Sequence, residues 1–287
     1  MSPQIVLMTG CSSGIGLATA KRLALDAEQR YIVIATVIAI SEKTDLEAAV
    51  GDALQKTIFI QELDVTKDDD ITAVVDGTLK TYGKIDILIN VAGIGVADIP
   101  ERVTRGQIET IFSVNVFGAI RLTQAVLPQM KHRRAGKIIT ISSTGGKLGY
   151  PYLDMYCSTK FALEGFFQSL AVSLRSFNVR VCLVEPGGTN TGLTTVINNS
   201  IDARLQDESI DDIDRRQLQC LRETITKNEI AWPDDVADAI TTRCLDVDEP
   251  VLGHLLPEEL HDVVRATAGD VTGETGLAIV QNSIGKY

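Results

Sequence analysis

Two kinds of apolar pattern alternate along the chain. Short, nearly continuous runs rich in Val and Ile occur at Ile5–Met8, Ile32–Ile40, Ile58–Leu63, Ile85–Ile89, Lys137–Ile141 and Val179–Val184. Continuous apolarity marks strands buried on both faces, as in parallel sheets. Between them, Leu17–Leu25, Asp68–Tyr82, Arg105–Met130 and Tyr156–Phe177 carry apolar residues three and four apart, the period of helices with one buried stripe. This alternation predicts an α/β fold, a Rossmann-type doubly wound parallel sheet flanked by helices, in one domain over residues 1–287. After Asn190 the pattern changes. Residues 193–230 are polar and acidic, with Asp207, Glu208, Asp211, Asp212 and Asp214. They read either as a mobile, solvated surface excursion or as a lid inserted over the substrate. Trp232-Pro233-Asp234-Asp235 reads as a helix start, with Pro in the first turn and acids against the positive end of the dipole. Residues 249–287 are weakly patterned and form a C-terminal extension of uncertain structure.

Charge and cysteine usage narrow the classes. The 27 Lys and Arg stand against 38 Asp and Glu, a net charge of −11. So acidic a chain repels phosphate backbones and anionic lipid, which argues against nucleic acid and membrane surfaces as partners. Cys11, Cys157, Cys182, Cys220 and Cys244 are scattered and never spaced C-x-x-C, which argues against a disulfide scaffold or zinc ribbon and points to a reducing compartment. The N-terminus lacks the basic region of a signal peptide, and Tyr31–Ile40 is about half the length a membrane helix needs. A soluble cytoplasmic protein without a membrane span is expected. His132, His254 and His261 have no Cys or carboxylate cluster nearby in sequence at ligand spacing, so no metal is expected.

The first candidate site is Thr9-Gly10-Cys11-Ser12-Ser13-Gly14-Ile15-Gly16, between the first strand and the first helical pattern. Glycines there allow a tight turn and let backbone approach a pyrophosphate, which the helix N-terminus behind the loop attracts. The strand–loop–helix context supports a dinucleotide site. The second-strand end, Thr36-Val37-Ile38-Ala39-Ile40, has neither the acid that holds ribose hydroxyls nor an arginine for a 2′-phosphate. Asp64, closing the third strand, is a candidate for the adenine end, or a helix cap. Tyr156 and Lys160 are four apart and share a helical face. A phenol with an ordinary pKa near 10 is a poor proton carrier at neutral pH, and an ammonium beside it favours its ionised form. Ser143 lies just beyond a strand's carboxyl end, where open parallel sheets bind ligands.

Thr-Gly-x-x-x-Gly-x-Gly at 9–16, Asn90-x-Ala92-Gly93, Asn115, Ser143, Tyr156-x-x-x-Lys160 and Pro186-Gly187-x-x-x-Thr191 together resemble the short-chain dehydrogenase/reductase family over residues 4–192. Thr9–Gly16, Leu127–Lys137 and Tyr156–Leu170 are similar to the branch that holds estradiol 17-beta-dehydrogenase and the photoreceptor-type retinol dehydrogenases. The resemblance implies an NAD(P)(H)-dependent oxidoreductase that interconverts a secondary or retinoid alcohol and its carbonyl. In that reading Tyr156 is the general acid/base, Lys160 lowers its pKa and holds the nicotinamide ribose, and Ser143 bonds the substrate carbonyl. Asn115 would hold a water linking Lys160 to solvent, the alternative being a mid-helix polar group bonded to its own backbone. Gly10, Ser12, Ser13, Gly14, Ile15, Gly16, Asp64, Ala92, Gly93, Thr189 and Thr191 would line the cofactor. Pairing through the two long helices implies a homodimer, with Phe161, Phe166 and Phe167 available to that face or to the core.

Two departures stand out. Val91 replaces the family's second Asn, and Ile38 stands where the closer branch carries Arg. Ser12 and Ser13 can still donate to a phosphate, which favours NADP(H) slightly over NAD(H). Residues 193–230 contain no aromatic, which leaves a steroid or retinoid unsupported by composition and makes a polar keto compound the competing substrate. A different class of reading is a catalytically inactive dinucleotide sensor or scaffold; the complete set Ser143, Tyr156, Lys160 and Asn115 speaks against it.

Overall fold

Seven parallel strands lie in the order β3-β2-β1-β4-β5-β6-β7 in the computed structural model, which describes residues 2–227 and 231–283. They are β1 (Gln4–Met8), β2 (Tyr31–Val37), β3 (Ile58–Glu62), β4 (Ile87–Asn90), β5 (Gly136–Ile141), β6 (Val179–Glu185) and β7 (Gly253–Leu255). The strand order reverses between β1 and β4, so a crevice opens outside their carboxyl ends. The doubly wound α/β architecture expected from the apolar runs is present. The second run is shorter than its composition suggests. β2 ends at Val37, opposite Glu62 at the end of β3, and the chain turns into a short 3-10 helix at Ile40–Glu42 whose Ile40 N–H donates to the Glu62 carboxylate. β7 is a strand that the apolar pattern did not indicate.

The connecting helices are α1 (Gly14–Ala24), α2 (Thr44–Val50), α3 (Asp68–Tyr82), α4 (Arg105–Phe112), α5 (Ala119–Arg133) and α6 (Asp154–Arg175). One face of the sheet packs on α3, α5 and α6 through residues such as Leu122, Val126, Leu163 and Phe167. The other packs on α1, α2 and α9 (Pro233–Ala239) through Leu23, Leu46 and Val236. As expected, α9 starts at Pro233, and Asp235 accepts from the Trp232 N–H at its N-terminus. The single helix expected over Arg105–Met130 is α4 and α5 joined through a π-helical turn at Ser113–Gly118, extended to Arg133. The segment Arg105–Arg133 is long and apolar enough to cross a membrane, a property that core helices share; Leu122, Val126 and Met130 bury one face of it against the sheet.

The acidic stretch folds as α7 (Gly192–Leu205) and α8 (Asp212–Lys227); residues 228–230 of it lie outside the described residues. Ile197, Ile201, Ile210, Leu218 and Leu221 turn inward and build a third apolar cluster with Ala97, Ile99, Tyr152, Leu153 and Cys157. The acids face outward or form ion pairs. Arg204 binds Asp98 at 2.7 Å and also Asp207, and the Tyr152 hydroxyl bonds Asp214 at 3.0 Å. These helices are docked onto the sheet's carboxyl end by apolar contacts. The C-terminal segment holds α10 (His261–Gly269) and α11 (Glu274–Ser283), with residues 284–287 outside the described range.

Candidate active site

The glycine loop is shaped by close backbone approach. Gly10 adopts φ +67°, and a Cβ there would fall 2.9 Å from the Ala92 backbone; one on Gly16 would lie 2.0 Å from the Gly10 carbonyl oxygen. No side chain fits at either place. Thr9 holds this loop against the next one, its Oγ1 accepting from the N–H groups of Val91 (3.0 Å) and Ala92 (3.1 Å). This anchoring residue stands in the motif, but its role was not read from the sequence. Because only main-chain N–H of residue 91 is used, the Val91 substitution leaves the junction intact. Ser13 precedes α1 without a side-chain cap, and the first turn of α1 carries no acid, so its partial positive charge faces the cleft uncompensated.

The cleft encloses about 510 Å³. Gly10, Ser12, Ser13, Gly14, Ile15, Gly16, Asp64, Ala92, Gly93, Ser143, Tyr156, Lys160, Thr189 and Thr191 all line it, so every expected site residue except Asn115 lies on one wall or another. Asp64 borders the cleft, and its Oδ1 accepts from Thr66 N–H (3.0 Å) and Thr66 Oγ1 (2.7 Å) in the turn before α3, whose N-cap is Lys67 rather than Asp64. Thr191 caps α7, and Thr189 Oγ1 donates to the Gly187 carbonyl at 3.1 Å.

Ser143 lies two residues beyond β5 and accepts from the Gly145 N–H at 3.1 Å. Lys160 is buried and its Nζ donates to the Ile141 carbonyl at 2.9 Å, 5.6 Å from the Tyr156 ring centre. Burial lowers the Lys160 ammonium to about 8, opposed by Glu164 one turn along. Burial pushes the Tyr156 phenol up to about 12, and Ser143 is the group that acts in the other direction. At neutral pH the phenol therefore keeps its proton.

Asn115 is tied into its surroundings by its side chain. Its side chain sits in the π turn, where Oδ1 accepts from Ile94 N–H (2.8 Å) and Nδ2 donates to Ile94 O (2.9 Å) and Thr159 Oγ1 (3.1 Å). These bonds clamp the loop after β4 onto α6 rather than tying Asn115 to its own helix.

Behind Lys160 lies a buried charge cluster that the sequence did not reveal. Lys147 bonds Glu164 at 2.6 Å and Glu185 at 3.2 Å. Burial and the neighbouring Glu164 raise the Glu185 carboxyl to about 7. Opposite, Val196, Ile197, Leu221 and Ile225 from α7 and α8 give the cleft an aliphatic wall. The acidic composition of 193–230 thus does not describe its inner surface.

A sequence profile of the short chain dehydrogenases matches residues 4–202. The chain belongs to the short-chain dehydrogenase family. It is 45% identical to human retinol dehydrogenase 8 over 186 residues, 65% of this chain and 59% of that protein. With human 17-beta-hydroxysteroid dehydrogenase type 1 it shares 32% over 287 residues, 99% of this chain and 87% of the other. A short-chain dehydrogenase from Streptomyces avermitilis superposes with a TM-score of 0.79 at 30% identity, covering 96% of this chain and 95% of that one. Serine dehydrogenase complexed with NADP+ (TM-score 0.72, 27% identity, 88% and 94% covered) and the Brucella melitensis 3-ketoacyl-(acyl-carrier-protein) reductase complexed with NADH (0.71, 26%, 88% and 95%) share the fold.

Proposed function

We propose that this short-chain dehydrogenase transfers hydride between a nicotinamide dinucleotide and an apolar alcohol or carbonyl of the retinoid or steroid class. The observation that carries the reading is the convergence of Ser143, Tyr156 and Lys160 on the same cleft as the Gly10–Gly16 loop. The cofactor fits that loop on physical grounds, since the backbone cradle admits no Cβ at Gly10 or Gly16 and leads into an uncapped helix N-terminus. When bound, the dinucleotide supplies or accepts the hydride. Ser12, Ser13, Thr189 and Thr191 would hold it with Lys160.

In the reducing direction Tyr156 donates its proton to the substrate oxygen, while the Ser143 hydroxyl donates a hydrogen bond that stabilises developing negative charge there. Lys160, lowered to about 8, is matched to neutral pH for returning a proton to the phenolate. Asn115 acts as a positioning residue, holding the loop after β4 against the helix that carries Tyr156 and Lys160. In the oxidising direction the phenol must first ionise, so that reaction should accelerate with rising pH.

The substrate class rests on the aliphatic wall from α7 and α8 together with the likeness to the retinol and steroid enzymes. A slight preference for NADP(H) rests on Ser12 and Ser13; Glu62, bonded to Ile40 beside Ile38, works against it. A reducing, cytoplasmic setting rests on the scattered cysteines, none of them spaced C-x-x-C. A homodimer is supported by exposed Phe117, Phe161 (47%) and Val172 (75%) on or beside the long helices, whereas Phe167 is fully buried and Phe166 half-buried in the core. The deciding experiment is NAD(P)H consumption with retinal, estrone and a short polar keto acid. Turnover of an apolar carbonyl is expected, and turnover of the keto acid alone would reject the substrate class.

A further inference from the structure

Away from the cleft, three chain segments bring soft ligand atoms together. Cys182 lies on β6, Cys244 in the π-helical turn Ile240–Leu245 that continues α9, and His254 on β7. The two sulfurs and a ring nitrogen of His254 lie within 4.8 Å of one another, and all three side chains are buried, His254 retaining 7% of its surface. The Nε2 of His254 is buried without a hydrogen-bond partner among the described residues. None of the three lines the cleft, so the hydride-transfer chemistry does not account for them.

We propose that Cys182, Cys244 and His254 form a structural site for a thiophilic metal ion, with zinc the ion the donor set fits best. Two thiolates and one neutral imidazole are ligand types zinc takes, and a water would complete the tetrahedron. The set contains no carboxylate, which disfavours calcium and magnesium. Two thiolates balance the charge of a divalent ion. Lys137 donates to the carbonyls of Cys244 (3.0 Å), Leu245 (2.8 Å) and Val247 (2.6 Å), which fixes the end of the turn that carries Cys244. Binding releases two thiol protons to solvent while both sulfurs bond the ion; nothing is oxidised or reduced.

The ion would fasten the three-residue edge strand β7 to β6 and to the end of α9. From β7 the chain runs directly into Pro257, whose ring closes over Gly187 so tightly that a Cβ there would lie 2.8 Å from it. Metal loading should therefore register as stability.

Cobalt provides the test. The full-length chain, reduced and stripped of metal, is titrated with Co2+ and then Zn2+. About one cobalt per chain with thiolate-to-cobalt charge-transfer absorption, displaced by zinc, is expected for such a tetrahedral site. Zinc should also raise the melting temperature. Cys182→Ser and Cys244→Ser should abolish the charge-transfer band, His254→Gln should weaken binding by more than about tenfold, and Cys220→Ser should change neither. The wild-type spectrum decides even if a variant fails to fold. A folded, reduced wild type without the band overturns the proposal. So does binding unchanged by both cysteine substitutions, which marks an adventitious ion only. Isolation of the native chain with a Cys182–Cys244 disulfide in place of metal would overturn it too.

Discussion

The Nζ of Lys160 donates to the main-chain carbonyl of Ile141 at 2.9 Å, joining the helix that carries Tyr156 to the last residue of β5. Ser143 lies two residues beyond that carbonyl, so this one bond helps set the position of Ser143 relative to Tyr156. It has a cost. Burial holds the ammonium at about 8, below its ordinary 10.5. Between those values the unfolded chain binds more protons than the folded one, so this group makes the fold more stable as pH rises from 8 to 10.5. Lys160→Met should lose turnover and flatten the melting temperature over that window. Differential scanning calorimetry at stepped pH checks the second effect, and an unchanged slope would contradict the burial argument.

Asn115→Ala leaves the N–H and carbonyl of Ile94 without their partners and frees Thr159. Unsatisfied buried groups cost about 1–3 kcal/mol each at most. The expected result is a lower melting temperature and a fall in kcat with cofactor affinity altered less, measured on the folded variant. Asn115→Asp retains the Ile94 N–H bond but loses both donors, and should fall between the two.

The mouth of the cleft at Ile38 tests the cofactor reading. An arginine there adds a charge-assisted partner for a 2′-phosphate, worth about 1.5–3 kcal/mol. Ile38→Arg should therefore tighten NADPH binding by roughly tenfold or more and change NADH little. Glu62→Gln removes the nearby carboxylate and should shift selectivity the same way. Fluorescence titration is convenient, because the chain's one tryptophan, Trp232, is exposed and follows Ala231, which pairs with Thr189 on the cleft wall. Equal gains for both nucleotides would contradict a 2′-specific corner.

Glu185 gives a second pH signature. Its carboxyl is raised to about 7 by burial and by Glu164, which competes for Lys147. A raised carboxyl stabilises the fold while protonated; that contribution is complete below the unfolded value and is lost as pH rises through 7. The shift corresponds to about 3 kcal/mol. Glu185→Gln should remove the decline in stability between pH 4.5 and 7, as read by chemical denaturation.

What the sequence disclosed follows from how local the interactions are. β1, the glycine loop and α1 are contiguous, so their apolar run and the Gly10, Gly14 and Gly16 spacing announce them together. Tyr156 and Lys160 are legible for the same reason, being one helical turn apart. β7 was not, because Gly253-His254-Leu255 has no pattern of its own and pairs only with β6. Glu62 reaches the corner beside Ile38 from a neighbouring strand, and Cys182, Cys244 and His254 meet only through the tertiary fold. The acidic 193–230 segment misled through its average. Ile197 with Ile201, and Leu218 with Leu221, carried the helical spacing of a buried stripe, but the surrounding acids dominated the composition.

The most direct test of the account is single-turnover reduction of an apolar carbonyl by wild type and Tyr156→Phe, with cofactor affinity measured alongside. Removing the proton donor should slow hydride transfer by roughly 10²–10⁴-fold while the cofactor binds as before. Full turnover by the folded Tyr156→Phe variant would contradict it.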